Sequence, residues 1–265
     1  MTATKEERKQ QSAARLREVR RTGVTCEPVR DLLEGMDVKD AYEVQLMNIE
    51  LDERAGAAVI GWKAGLTARS VQLQLGVDSP DFGALLNTCG YGDSEPVPLS
   101  RLMQPRIEAE VGFVLERDLP DRRVTGADIL RSTAFVVPAL EIVASRITNW
   151  DITILDTVAD NASSGLFTLG LKPVLLKDVD VGAAAMSMTV GGEEVSSGSG
   201  RACMGNPVNA VVWLANTLCE LGKPLRAGDL ILSGALGPMV NVAGPSRFEA
   251  SIEGLGTVRA EFVDA

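Results

Sequence analysis

The sequence predicts an α+β fold in which a helical N-terminal region, residues 1–56, precedes one β-rich domain, residues 57–265. Three observations lead to this prediction. Apolar residues keep helical spacing before residue 56, and short apolar runs punctuated by Gly, Pro and Asp follow it. Neither an internal repeat nor an interdomain linker interrupts the chain, so the two parts are expected to form one functional unit.

Capping residues support two of the predicted helices. Apolar residues recur at helical intervals from Val38, with Asp37 placed to cap the helix and Gly56 to end it. A second helix is predicted over residues 207–221, because Asn206 can cap it and proline is favoured at the first helical position. The rest of the N-terminal region is also expected to be helical.

Short apolar runs with β character predict the strands. Residues 248–262 predict a closing hairpin, with Gly254 and Gly256 in its turn. The other predicted strands are residues 57–62, 107–115, 134–144, 166–171, 186–190 and 230–232.

Composition and charge exclude several classes of protein. Of the 265 residues, 45% are hydrophobic and 23% are charged, which is typical of a globular chain. The net charge of −10 disfavours nucleic-acid binding. No apolar run approaches the ~20 residues that span a membrane, and no apolar signal core opens the chain, so we expect a soluble cytoplasmic protein.

Charge is distributed unevenly along the N-terminal region. Residues 1–30 contain eight basic and four acidic side chains, whereas residues 31–60 contain two basic and eight acidic ones. The two segments are expected to pair, either within a subunit or between subunits.

The chain contains no histidine, and its four cysteines are scattered without a CxxC pair. Catalysis by a Ser-His-Asp or Cys-His group and metal sites built on histidine are therefore excluded, and a thiolate metal site is disfavoured. Any activity change near neutral pH must come from a metal-bound water, a carboxyl group whose pKa is raised, a cysteine, or a lysine whose pKa is lowered.

Three glutamates stand out on two predicted strands. Alternation places Glu108 and Glu110 on one face of a strand, ~7 Å apart, where they either chelate a cation or face solvent. Glu141 is the only polar side chain in eleven residues of the next strand. A carboxylate buried there needs a metal or a partner such as Arg146, or it stays protonated.

Lys63 and Asp81 could likewise be either site residues or purely structural ones. Lys63 lies in an apolar run between Gly61 and Gly65, which favours close approach to a ligand, although its amine could also reach the surface along its own stem. Asp81 ends an Asp-Ser-Pro-Asp sequence that begins at Asp78, and either aspartate could simply cap a turn.

Three carboxylates without histidine or cysteine would form a hard oxygen site, which favours Mg²⁺ or Mn²⁺ over zinc or copper. Such ions suit the chelation of a 2-oxo acid through its carboxylate and the adjacent oxygen. An anionic substrate is compatible with the acidic chain, because the metal and Lys63 would set the local charge.

Several segments, in constant order, resemble the 2-hydroxypenta-2,4-dienoate hydratases of the fumarylacetoacetase C-terminal-like superfamily. The resemblance runs from about residue 35 to the C-terminus. The segments that carry it are residues 61–67 (GWKAGLT), 75–83 (LGVDSPDFG), 104–110 (QPRIEAE), 138–141 (PALE), 145–147 (SRI), 156–164 (DTVADNASS) and 231–238 (ILSGALGP).

The resemblance implies a mixed β-roll or barrel preceded by helices, with residues 57–265 as the catalytic domain. It implies a metal site at Glu108, Glu110 and Glu141, and a proton-transfer pair formed by Lys63 and Asp81. The substrate-binding residues that it implies are Ser163, Ser233 and Gly234. It also implies a homo-oligomer built from dimers, with a decamer as one form, and association with neighbouring pathway enzymes is a further expectation.

The activity implied is the metal-dependent addition of water to 2-hydroxypenta-2,4-dienoate, giving 4-hydroxy-2-oxopentanoate during meta-cleavage degradation of aromatic compounds. A 4-oxalocrotonate decarboxylase of the same superfamily is the alternative. An acylpyruvate hydrolase is less favoured, because such enzymes commonly use a histidine-assisted water. A non-catalytic subunit is disfavoured, because every expected acidic and lysine position is filled.

Overall fold

The computed structural model describes residues 3–75, 77 and 79–264, and it confirms the predicted α+β class. Asp78, in the predicted turn, lies outside the described residues. Within the described part of the chain, no helix is long and apolar enough to cross a membrane.

Helices occupy the N-terminus and connect several strands. Their bounds are α1 Lys5–Thr22, α2 Val38–Arg54, α3 Arg69–Leu75, α4 Gly126–Ser132, α5 Ile154–Ala159 and α6 Pro207–Glu220. Asp37 caps α2 and Asn206 caps α6, as predicted. The expectation of helix throughout the N-terminal region is wrong for residues 23–37, because Gly23 adopts a left-handed conformation and ends α1.

The strands form two sheets. Their bounds are β1 Val59–Gly65, β2 Asp81–Leu86, β3 Gly90–Tyr91, β4 Pro96–Pro98, β5 Arg106–Leu115, β6 Thr133–Val143, β7 Ser164–Leu169, β8 Ala185–Val190, β9 Glu193–Ser199, β10 Leu230–Leu232, β11 Val240–Asn241, β12 Ser246–Ile252 and β13 Gly256–Val263. The larger sheet has the order β2-β1-β10-β5-β6-β7-β3, with β11 also paired to β5. The smaller sheet has the order β4-β13-β12-β8-β9.

The predicted strands and the closing hairpin are all present, with ends shifted by a few residues. The turn predicted around Asp81 is wrong, since Asp81 begins β2 and pairs with Gly65 across β1. Turn-forming composition is overridden there by the antiparallel pairing of β2 with β1, in which every residue of β2 is buried.

The centre of the larger sheet is the pair β5 and β6. Glu108 lies directly opposite Glu141 in this antiparallel pair, and β10 flanks β5 on its other side. Both faces of β5 are buried, which excludes a solvent-facing strand edge for Glu108 and Glu110. The register therefore brings three glutamates together from two strands.

The N-terminal helices pack on the same apolar core as the sheets. Arg20 of α1 pairs with Asp52 of α2 at 2.7 Å, and Lys9 pairs with Glu43. The basic and acidic segments thus pair within the subunit. Gln45 of α2 also donates to the main-chain oxygen of Phe82 on β2, at 2.9 Å, which ties the helix to the strand that carries Asp81.

Gly61 allows β1 and β10 to approach each other, and its replacement tests the fold. A Cβ at Gly61 would lie 1.8 Å from the carbonyl oxygen of Leu230, so Gly61→Ala must separate two central strands. We expect a loss of at least about 2 kcal/mol in the free energy of unfolding, measured in urea. Gly244→Ala is the matched control, because no atom lies within 4 Å of its added Cβ. Equal stabilities for the two variants would contradict the prediction.

Candidate active site

A cavity at the edge of the β1–β5–β6 region collects most of the predicted site residues. Together with its opening to solvent, it contains about 350 Å³ of space that is not filled by atoms. Its polar lining is Lys63, Asp81, Glu108, Glu110, Glu141, Thr157 and Ser163. Its larger apolar side chains are Leu66, Val71, Val143, Trp150 and Met239.

Neighbouring strands supply the ionisable groups. β1 carries Lys63, β2 carries Asp81, β5 carries Glu108 and Glu110, and β6 carries Glu141. All five side chains are between 1% and 7% exposed. Four acids and one amine therefore share a space from which water is largely excluded, which is an unusual concentration of buried charge.

Lys63 is paired inside the cavity and does not extend to the surface. Its Nζ lies 3.4 Å from Oε1 of Glu141, although that oxygen forms no hydrogen bond of good geometry. Burial alone lowers the pKa of the amine. The surrounding carboxyl groups, led by Glu141 and Asp81, outweigh this effect, so the pKa of Lys63 lies above its usual value. A lowered lysine pKa is thus not the source of a titration near neutrality in this state.

Asp81 is a buried acid held by a hydroxyl group. Thr157 Oγ1 donates to Asp81 Oδ2 at 3.1 Å and lies 3.4 Å from Ser163 Oγ. Oδ1 of Asp81 has no hydrogen-bond partner among the described residues. Burial raises the pKa of Asp81, and the opposing effects of Lys63 and Thr157 do not cancel that rise.

Gly65 makes the approach of the amine and the aspartate possible. A Cβ at this position would lie 2.1 Å from Asp81 Oδ1 and 3.0 Å from Lys63 Nζ. Of the two glycines flanking Lys63, Gly65 thus serves the site, whereas Gly61 serves strand packing.

Glu108 and Glu110 hold their protons more tightly than exposed glutamates. Burial, with the negative field of Glu141 next in size, raises the pKa of Glu108 to about 8. The same two causes, in that order, raise the pKa of Glu110. Glu110 is also fixed in place, because the main-chain N–H of Gly234 donates to its Oε2 at 2.7 Å.

The donor set fits a hard divalent cation. Three buried carboxylates with one nearby amine carry excess negative charge, and oxygen donors of this kind suit Mg²⁺ or Mn²⁺. The unpartnered Oε1 of Glu141 is available to such an ion. In the described ranges, no three acidic, cysteine or histidine side chains already converge as a metal-binding group. The three glutamates do not converge in this way, so the metal triad stays a prediction.

A strained turn carries Ser163 into the cavity. Asn161, Ala162 and Ser163 all have left-handed backbone conformations, with φ of 55°, 50° and 51°. Such conformations cost about 1–2 kcal/mol each. The side chain of Asn161 offsets this by accepting from Ala84 N at 2.8 Å and donating to Ala84 O at 3.0 Å, which fastens the turn to β2.

A buried ion pair supports the same turn from the other side. Arg146 donates to the carboxylate and the carbonyl oxygen of Asp160, and to the carbonyl oxygen of Ser164 at 2.8 Å. The alternative in which Arg146 pairs with Glu141 is therefore wrong. Arg146 is fully engaged with the turn, which leaves Glu141 to Lys63.

Ser233 and Gly234 lie behind Glu110 and are not among the described residues that line the cavity. Ser233 is completely buried, and its carbonyl oxygen accepts a hydrogen bond from Cys203 Sγ at 3.0 Å. Gly234 reaches the site through Glu110. Direct contact of these two residues with a substrate stays a prediction.

Sequence reasoning missed Thr157 and the apolar lining residues. Thr157 stands in a dense polar segment, and this was a usable signal, but only the fold shows that its hydroxyl meets Asp81. Trp150 ends the short 3-10 helix Thr148–Trp150, and Met239 lies in a loop far from the glutamates in sequence. Nothing in their local pattern indicates a cavity.

Comparison with known proteins agrees with this fold. Residues 61–263 match the family described as fumarylacetoacetate (FAA) hydrolase, C-terminal, and the chain belongs to this family. The expected mixed β-roll is thereby confirmed.

Within the family, the chain is similar in sequence to named hydratases and in structure to a decarboxylase. A 2-keto-4-pentenoate hydratase from Burkholderia vietnamiensis (strain G4 / LMG 22486) is 54% identical, over 95% of this chain and 96% of that protein. A 2-hydroxyhexa-2,4-dienoate hydratase from Comamonas testosteroni is 45% identical, over 94% of this chain and 96% of that protein. A solved structure, 4-oxalocrotonate decarboxylase from Pseudomonas putida G7 complexed with magnesium and adipate, has a TM-score of 0.92. It is 32% identical and covers 99% of each chain.

The raised pKa of Glu108 predicts how the stability of metal-free protein changes with pH. The unfolded glutamate has an ordinary pKa of 4.5, so the folded state holds an extra proton between that value and about 8. The stability that this proton contributes is fully present below the pKa of the unfolded glutamate. It is lost as the pH rises through the pKa of the folded protein, by at most about 1.4 kcal/mol per pH unit. In EDTA, Tm should fall from about pH 5 to about pH 8.

Added Mg²⁺ or Mn²⁺ should favour the ionised carboxylates, so the difference in Tm between loaded and metal-free protein should widen as the pH rises. The double variant Glu108→Gln/Glu110→Gln is the control and should show a flatter Tm profile in EDTA. A metal effect that stays constant across this pH range would contradict the raised pKa.

Proposed function

We propose that this chain is a metal-dependent hydro-lyase that adds water to 2-hydroxypenta-2,4-dienoate, giving 4-hydroxy-2-oxopentanoate in the meta-cleavage degradation of aromatic compounds. The observation that carries this proposal is the cavity that Lys63 and Asp81 line together with Glu108, Glu110 and Glu141. The similarity of the chain to named hydratases, at up to 54% identity over 95% of its length, supports the same activity.

Glu108, Glu110 and Glu141 would hold the divalent cation. When bound, the cation would supply Lewis-acid chemistry that polarises the C2–O bond of the substrate. Gly234 fixes the orientation of Glu110 within this group. Ser163, on its strained turn, would contact the substrate carboxylate.

Lys63 and Asp81 would move the protons. Ketonisation takes the proton from the C2 hydroxyl and places one on C5, giving an α,β-unsaturated 2-oxo acid. Water then adds at C4, and a proton is delivered to C3 to complete the product. Asp81, with its raised pKa and one unpartnered oxygen, can carry a proton at either stage, and the ammonium of Lys63 stabilises the negative charge that develops.

Decarboxylation of 4-oxalocrotonate is the second candidate, and one observation favours it. The decarboxylase from Pseudomonas putida G7 has nearly the same fold as this chain, with a TM-score of 0.92. Its identity of 32% is well below that of the hydratases, so water addition is the better supported reaction.

A product assay with metal removal tests the activity. Purified protein should consume 2-hydroxypenta-2,4-dienoate and form a product heavier by one water, EDTA should stop the reaction, and Mg²⁺ or Mn²⁺ should restore it. Glu141→Gln should lower the rate by at least about 100-fold and weaken metal binding, because it removes a direct oxygen ligand. Asp128→Asn is the matched control, since Asp128 is a buried carboxyl group that does not line the cavity.

Full activity in Glu141→Gln would return Glu141 to a purely structural role. Release of CO₂ from 4-oxalocrotonate, without hydration of the dienoate, would establish the decarboxylase instead.

Isotope incorporation tests the proton steps. Turnover in D₂O should place one deuterium at C5 and one at C3, as seen by NMR of the product. Lys63→Met should remove most of the rate, and Lys63→Arg should restore it poorly, because the guanidinium keeps the charge but not the compact geometry of the amine. Deuterium at C3 alone would mean that water adds without prior ketonisation, and Lys63→Arg with near-full activity would make Lys63 an electrostatic anchor only.

A further inference from the structure

We propose that the apolar end of the cavity selects a dienoate whose tail, beyond C4, is uncharged, and that Trp150 and Met239 enforce this choice by covering the guanidinium of Arg106. The inference rests on the proposed function and names the residues that determine which dienoates are accepted.

Strand register sets the direction in which a bound substrate extends. Val143 follows Glu141 by two residues on β6, so both side chains lie on the same face, roughly 7 Å apart. Arg106 precedes Glu108 in the same way on β5, and it lies opposite Val143 in the strand pair. Because Val143 also lines the cavity, we infer that the tail of a dienoate held at the glutamates extends along this face toward Val143.

The lining at this end is apolar. Leu66, Val71, Val143 and Met239 pack together as a small buried cluster, and Trp150 packs against it. None of the described lining residues at this end is a cation. A second carboxylate placed here would lose its hydration without gaining an ion pair, which is strongly unfavourable. A hydrogen atom or a short alkyl group would gain apolar contact instead.

A cation does lie directly behind this wall. The Arg106 guanidinium stacks over the Trp150 ring, 4.3 Å from its centroid, and its Nη1 lies 3.7 Å from Met239 Sδ. Trp150 is held in this position because its Nε1 donates to the carbonyl oxygen of Gln104 at 3.0 Å. Arg106 shares the strand face of Glu108, and its charge acts on that carboxyl group, but its guanidinium contacts Trp150 and Met239 and is not among the described residues that line the cavity.

Binding of two unreactive acids that differ only at the tail tests this arrangement. 2-Oxohexanoate and 2-oxohexanedioate are titrated by calorimetry into Mg²⁺-loaded protein. Wild-type protein should bind the diacid at least about 10-fold more weakly. Met239→Ala should shrink that ratio by about 10-fold, because it opens a path from the tail to Arg106. Met239→Leu, which keeps a large apolar side chain over Arg106, should retain the wild-type ratio. The double variant Met239→Ala/Arg106→Gln should lose the improved diacid binding that Met239→Ala alone shows.

Thermal unfolding checks that each variant is folded. If Met239→Ala is unfolded, Trp150→Leu gives a second way to uncover Arg106. Equal binding of both acids by wild-type protein would overturn the inference. A gain in Met239→Ala that persists after Arg106→Gln would overturn the role of Arg106.

Turnover separates this inference from the proposed function. 2-Hydroxyhexa-2,4-dienoate and 2-hydroxyhexa-2,4-dienedioate differ only by a methyl group or a carboxylate at C6. A kcat/KM for hydration of the first compound that is at least about 10-fold higher than that for the second supports both proposals. Comparable hydration of the two overturns the tail selection and leaves the hydratase intact. Hydration of neither compound nor of 2-hydroxypenta-2,4-dienoate, with the binding preference retained, overturns the hydratase and leaves the tail selection intact.

Discussion

The burial of four carboxyl groups around a single amine is the constraint on which the rest of the structure depends. Asp81, Glu108, Glu110 and Glu141 share one cavity with Lys63, and all are nearly inaccessible to water. Charges in such surroundings interact strongly and cannot all be ionised without a compensating cation. The raised pKa values of Glu108 and Asp81 express this conflict, as does the raised pKa of Lys63. A site so arranged is suited to a divalent ion and an anionic substrate, which together restore the charge balance.

Groups outside the cavity keep this arrangement in place. The left-handed turn that presents Ser163 is unfavourable in isolation, and it persists because Asn161 pairs with Ala84 and Arg146 binds Asp160. These contacts join β2, the turn and the end of β6, so the positions of Asp81 and Ser163 are set together. Strain of this kind is tolerated where surrounding contacts fix the conformation. The buried pair Arg146 and Asp160 thus serves the geometry of the site without touching a reacting atom.

Sequence patterns predicted the elements whose signal is local. The central strands could be identified because long apolar runs carry isolated polar residues, and Glu141 was conspicuous for that reason. The strand β2 could not be identified from the sequence, because the composition around Asp81 is typical of a turn and only the pairing with β1 makes it a strand. The resemblance to a known family indicated Lys63, Asp81 and the glutamates, and these residues line one cavity, while their roles stay predictions. It did not indicate Thr157, Trp150 or Met239, because their roles arise from contacts between elements distant in sequence.

The electrostatics of the cavity also bear on how Lys63 can take part in proton transfer. In the structure described, the field of Glu141, Asp81 and the other glutamates holds the proton on its amine against the effect of burial. Positive charge placed among those glutamates would cancel much of this field, while the burial of Lys63 would remain. The pKa of the amine would then fall, as burial alone requires. The same charge would lower the pKa of Glu108 and free its proton. The proton inventory of the cavity is therefore coupled to cation binding, and without any histidine the chain can still change its protonation state near neutral pH.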